Sequence, residues 1–305
     1  LLMNRFFKMM LCTVLSVSLS VSLTGCSSLP KDTKEDVVKL DLDGVSKHYK
    51  ILIVNDTHIQ INNDEVAESN RDYMEHRIGE FTTGGLTTKE RWDKLSSSLD
   101  SYKADLIVFA GDMVDFCSKA NTEALKEGFS KLKTPYIYIR SDHDTEPYWM
   151  TDGDDSAAKE RQDKVTVNTD VLYADLGELC VLCINNSNRQ ISKEMLETMK
   201  PIFEKGKPVL VVTHIPIEQE SGTELLEYSE EVRDGRHLYW GYTGEAYPDD
   251  DTAKFMSILY SEESNVKAVF AAHLHAKWDG KLSENAMEHV FAPAFQGNVG
   301  VVEVY

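Results

Sequence analysis

Six short apolar runs limit this chain to a small set of folds: ILIV (51–54), LIVFA (106–110), YIYI (136–139), CVLCI (180–184), VLVV (209–212) and AVFAA (268–272). Each has the length of one strand, and most are apolar on both faces, as central strands of a covered sheet are. Between several of them apolar residues recur at helical spacing: Trp92, Leu95, Leu99 and Tyr102, then Leu125, Phe129 and Leu132, then Met195, Leu196 and Met199. Strands alternating with helices predict an α/β fold with a layered sheet. Residues 48–305 read as one large domain without internal repeats. The acidic, aromatic stretch 219–251 reads as an insertion loop over one edge.

The first 25 residues read as a segment apart. Arg5 and Lys8 precede an uncharged apolar stretch, Met9 to Leu23, which is the layout of a secretory signal peptide. It ends in LTGC, residues 23–26, which resembles a bacterial lipobox, with cleavage before Cys26 and lipid on its sulfur. An ordinary signal peptide or a short membrane anchor with a chance cysteine is the alternative. The lipobox reading predicts a lipoprotein signal peptide over 1–25, a flexible polar tether over 26–47, and an extracytoplasmic, membrane-anchored protein.

The formal net charge is −19. Residues 1–25 hold two of the 32 basic residues and no acidic ones, so the remainder carries −21. Such acidity argues against nucleic acid or anionic lipid as a surface partner. An anionic ligand would need local positive charge, and metal ions are one source. With Cys12 in the signal and Cys26 acylated, Cys117, Cys180 and Cys183 remain, an odd number and no disulfide framework. Cys180 and Cys183, three apart on one strand, should point to opposite faces as buried thiols.

The strand exits carry the chemistry. NDTHIQ follows the first run, with Asp56 and His58 on one face of an extended segment. Gly111, Asp112 and Asp115 follow the second run, and Asp142, His143 and Asp144 the third. His214 follows VLVV, and His273 and His275 follow AVFAA. Each is weak alone, since a histidine after a strand is more often a capping or core residue. Five such exits, brought to the carboxyl edge of one sheet, make a site. Carboxylate and imidazole without thiolate suit zinc, manganese or iron. Seven candidate ligands exceed one four-coordinate ion and suit a pair of divalent ions sharing the carboxylate of Asp112. The histidines at 48, 76, 237 and 289 have no comparable setting.

In order, DTH, GDMVD, SDHD, THIP and AHLH resemble the calcineurin-like metallophosphoesterase superfamily over about residues 50–276. The resemblance implies a four-layer αββα sandwich with a dinuclear centre between its two mixed sheets. It implies that Asp56, His58, Asp112 and His275 hold one metal, and Asp112, Asp142, His214 and His273 the other. His143 would face the leaving group, and Asp115 would orient a histidine of the site. Three positions depart from the pattern: Asp142 stands where Asn is usual, and Ser141 and Ala272 where Gly is. Asp142 adds a negative charge beside the second metal.

The chemistry so implied is hydrolysis of a small phosphoester, mono- or diester, by a hydroxide shared between two metals, with His143 assisting the leaving group. A lipid-anchored binding protein that keeps its metals for structure is the alternative. The segment RHLYWGYTGEAYP (236–248) could stack a base or sugar over the site, or serve as loop packing. Asn185, Asn186 and Ser187 are placed at the rim.

Overall fold

The computed structural model describes residues 33–305 except 152, 154 and 168. Cys12, Cys26, the signal segment and the lipobox lie outside them. The strands are β1 (Lys34–Leu40), β2 (Tyr49–Val54), β3 (Leu106–Ala110), β4 (Tyr136–Ile139), β5 (Val171–Asp175), β6 (Cys180–Ile184), β7 (Val209–Thr213), β8 (Val266–Ala271), β9 (Trp278–Lys281), β10 (Met287–Val290) and β11 (Asn298–Val304). The helices are α1 (Arg71–Phe81), α2 (Thr88–Ser96), α3 (Lys119–Ser130), α4 (Asp142–Thr145), α5 (Asp155–Asp163), α6 (Lys193–Phe203), α7 (Glu224–Val232) and α8 (Asp250–Tyr260). None of these helices is long and apolar enough to cross a membrane.

All six apolar runs become strands, divided between two mixed sheets. One has the order β1-β11-β2-β3-β4 and the other β5-β6-β7-β8-β10-β9. Three cores separate four layers. Between the sheets, Ile51, Ile53 and Val108 meet Val181, Leu210 and Phe270. On the outer face of the first sheet, Leu52, Ile107 and Phe109 pack on Trp92, Leu95, Leu125 and Phe129 from α2 and α3. On the outer face of the second, Leu182 and Val211 pack on Met195, Met199, Phe255 and Leu259 from α6 and α8. This is an αββα sandwich, closed by the apolar stripes legible in the sequence, although Leu99 and Tyr102 lie in a 3-10 turn past the end of α2 and Leu132 lies past the end of α3. Cys180 joins the outer core and Cys183 the inter-sheet core, both buried and free.

Three expectations need correction. The five candidate exits lie on two sheets, since β2, β3 and β4 belong to one, β7 and β8 to the other. The tether expected over 26–47 gives way at Lys34 to β1, which pairs in parallel with β11 from Lys34–Asn298 to Leu40–Val304. As a charged edge strand burying Val38 alone, β1 has no apolar run to announce it. The stretch 219–251 is not all loop, because it contains α7 and the start of α8.

Candidate metal centre

Parallel pairing sets the site. Val54 lies level with Phe109, and Ala110 with Ile139, so β2, β3 and β4 end together. From the second sheet, His214 Nδ1 donates to the Ala110 carbonyl at 2.8 Å, and the Ala272 amide donates to the His214 carbonyl at 2.9 Å. The exits of β3, β7 and β8 are thereby tied across the two sheets.

The backbone bends sharply where the candidate ligands sit. Asp56, His58, Asp112, His273 and His275 all have left-handed φ, between 42° and 67°. Asp and His tolerate that region better than most residues, but it still costs energy and clusters at functional sites. Gly111 also has positive φ (86°), and a Cβ there would lie 2.7 Å from His214 Nδ1. Ser141, in place of the usual Gly, has extended backbone. Its hydroxyl accepts from the Asp112 amide at 2.7 Å and donates to the Asp112 carboxylate.

Two sets of ligand atoms converge and share one carboxylate. Asp56, His58, Asp112 and His275 form the first, and Asp112, His214 and His273 the second. His58 Nε2 lies 3.5 Å from Asp112 Oδ2 and 3.0 Å from His275 Nε2. His214 Nε2 is 3.2 Å from Asp112 Oδ2, and His273 Nδ1 is 3.3 Å from His214 Nε2. Asp142 stands outside both sets: its Oδ1 accepts from the His143 amide and its Oδ2 from the Arg189 guanidinium at 3.3 Å. Asp115 is fully buried and orients two histidines. Its carboxylate accepts from His58 Nδ1 and its carbonyl from His143 Nδ1, both at 2.8 Å.

The charge of the cluster fits a cation. Asp56 Oδ1 is buried without a hydrogen-bond partner among the described residues, 3.5 Å from His275 Nε2 and 3.8 Å from His58 Nε2. Burial opposes ionisation of Asp56 and Asp112, yet the facing histidines hold both well below the usual carboxylate range. Burial also opposes protonation of His58 and His214. The carboxylates around them, Asp115 and Asp56 for His58 and Asp112 for His214, push both up to about 10. Burial brings His275 down to about 4 and keeps it neutral. These carboxylates require compensating positive charge, from protons on two imidazoles or from metal ions in their place.

The cluster floors a cavity of about 380 Å³ that His143, Arg77, Arg233, Arg236, Tyr148 and Trp149 also line. Arg77 spans Asp115 with two 2.7 Å hydrogen bonds, its guanidinium 4.8 Å from the ring centres of Phe81 and Trp149. Arg233 and Arg236 have no carboxylate partner among the described residues, and Arg233 Nε is buried without any hydrogen bond. In so acidic a chain, two unpaired guanidiniums over the cluster favour an anionic ligand.

Sequence reasoning missed Arg77 and Arg233, which lie in stretches with no motif. It singled out 236–248 for its aromatic residues and overlooked two charged ones there, Arg236 and Glu245, the latter accepting from His273 Nε2 at 3.1 Å. Asn185, Asn186 and Ser187 are not in the cavity: Asn185 bonds Asp170, and buried Asn186 closes on the backbone of Ile215. In the aromatic segment Tyr239 and Trp240 are core residues, while Tyr242 and Tyr247 are exposed.

The αββα sandwich thus brings to its strand exits an Asp/His cluster that could hold metal ions. A profile of the calcineurin-like phosphoesterase family matches residues 49–277, and the chain belongs to that family. It is a metal-dependent phosphoesterase, a hydrolase acting on ester bonds. No curated protein matches it. Similar solved structures include the purple acid phosphatase PPD1 from yellow lupin (Lupinus luteus) seeds, 12% identical with a TM-score of 0.49. That likeness covers 83% of this chain and 45% of the lupin chain, so this chain spans under half of that protein. Another is a dimetal phosphatase from Danio rerio, 9% identical with a TM-score of 0.49, over 81% of this chain and 88% of that one.

Proposed function

We propose that the protein hydrolyses a small phosphoester, mono- or diester, at a centre of two divalent ions drawn from manganese, iron and zinc. The observation that supports it is the pair of ligand sets sharing Asp112 on the floor of an arginine-lined cavity. Asp56, His58, Asp112 and His275 hold one ion in this reading, and Asp112, Asp142, His214 and His273 the other. Asp142 enters by its place in the motif, and its charge is felt at His214. When bound, two such ions activate a water and neutralise phosphoryl oxygens.

The remaining roles belong to the chain. His143 Nδ1–H is held by the Asp115 carbonyl, so in the imidazolium form the proton on Nε2 is the one left to pass to the departing oxygen, leaving His143 neutral. Arg233 and Arg236 receive the negative charge of the incoming ester. His143→Ala should lower turnover of an alkyl phosphoester by about 10²-fold or more, and of an activated aryl ester by much less. Equal losses on both esters, with metals still bound, would remove His143 from the acid role.

The domain at 48–305 is proposed to be extracytoplasmic and anchored to the membrane through lipid on Cys26. A Cys26→Ser protein should remain unlipidated and uncleaved. Processing and anchoring identical to wild type would refute the lipobox reading.

A further inference from the structure

Asp142 carries a negative charge where Asn is usual, and a chain of charged contacts leads from it to a candidate ligand. Its Oδ2 accepts from both terminal nitrogens of Arg189, at 3.4 and 3.3 Å. Arg189 Nε donates to Glu245 Oε2 at 2.5 Å, and Glu245 Oε1 accepts from His273 Nε2 at 3.1 Å. The four residues come from the exits of β4, β6 and β8 and from the 219–251 insertion. A carboxylate can only accept, so the ring proton of a neutral His273 belongs on Nε2. Its Nδ1 is then a free lone pair, and that atom faces His214 and the second ligand set.

We propose that Glu245 is a positioning residue for His273, fixing the tautomer and ring direction that present Nδ1 to the second ion. Arg189 links Glu245 to Asp142 and offsets the additional negative charge there. This rests on the proposed dinuclear centre.

The brace is built with some strain. Arg189 has a left-handed backbone (φ 56°), in a turn closed by its amide on the Asn186 carbonyl at 2.9 Å. Its own carbonyl accepts from the indole of fully buried Trp240 at 2.7 Å. The Glu245 amide donates to the carbonyl of Tyr239, also buried, at 2.9 Å. An incidental surface ion pair would need none of these anchors.

The test uses the full protein stripped of metal, titrated calorimetrically with Mn²⁺ alone, with nitrogen-15 NMR of the imidazoles before metal is added. In wild type His273 should be protonated at Nε2, and two ions should bind. Glu245→Gln should weaken the second ion by about 10- to 100-fold, leave the first unchanged, and mix the His273 tautomers. Arg189→Gln should weaken it less, and its effect should shrink in an Asp142→Asn background. If Glu245→Gln does not fold, Glu245→Asp, with the charge kept and the reach shortened, carries the same comparison. Unshifted second-ion affinity, equal weakening of both ions, or an unchanged tautomer would overturn the proposal. A folded protein that shows these shifts but hydrolyses no phosphoester would refute the proposed function and leave the brace standing.

Discussion

The two halves of the centre use the same chemical device at different depths. In one, Arg77 grips Asp115, which orients His58, and both Asp115 and His58 are buried. In the other, Arg189 grips Glu245, which meets His273 at the cavity rim. There Glu245 and His273 are 13% exposed and Arg189 is 29% exposed. A buried pair is costly to break because its survivor is left charged in a poorly solvated site. The pair at the rim is only partly buried, with water reaching Arg189, so its loss costs less and acts more on local geometry. The first half is therefore part of what holds the fold, and the second is where charge can vary. The atypical Asp142 stands in the second.

The largest expected effect removes the residue common to both halves. Asp112→Asn should abolish binding of both ions and with it all hydrolysis, as measured by elemental analysis and assay. One ion retained at wild-type affinity would show that the halves do not depend on a shared carboxylate.

Next comes the contrast in depth. Arg77→Gln should cost about 3–5 kcal/mol of stability, because Asp115 stays buried without its guanidinium. Arg189→Gln should cost about 1 kcal/mol or less. Burial works against ionisation of Asp115, but Arg77 and His58 hold its carboxyl well below the usual range. Its stabilisation is complete above the unfolded pKa of about 4 and fades as pH falls toward the folded value. Arg77→Gln should move acid unfolding to higher pH. Equal denaturation midpoints for the two arginine variants would erase the distinction between a buried and a rim brace.

A smaller effect than that of Arg77 lies behind the second half. Glu288 is buried, accepts from the Ile217 amide at 2.8 Å just past His214, and has no partner at Oε2 among the described residues. Burial pushes its carboxyl up from 4.5 to about 8, against the opposing bond from Ile217. Between those values the folded protein keeps a proton that the unfolded chain releases, so stability declines as pH rises and levels off above. Glu288→Gln should flatten that decline and add about 1–3 kcal/mol near pH 8. A slope as steep in the variant would place the titrating group elsewhere.

Local patterns decided much of this protein in advance. Apolar runs and period-3.6 stripes are set by neighbours in sequence, and they foretold the six strands, the faces of α2, α3 and α6, and the opposite facing of Cys180 and Cys183. Asp and His at strand exits could be recognised for the same reason, because parallel pairing brings exits level. What the tertiary structure alone decided lies between residues far apart in the chain. Arg77 meets Asp115 across 38 positions, and Arg189 meets Glu245 across 56. Neither arginine carries a local signal, since its partner is chosen by how helix, sheet and insertion pack. The division of the exits between two sheets, the pairing of charged β1 with β11, and the hold of Arg189 on Asp142 also arise only on packing. A sequence pattern reports which face of its own element a side chain occupies. It does not report which distant element will lie against that face.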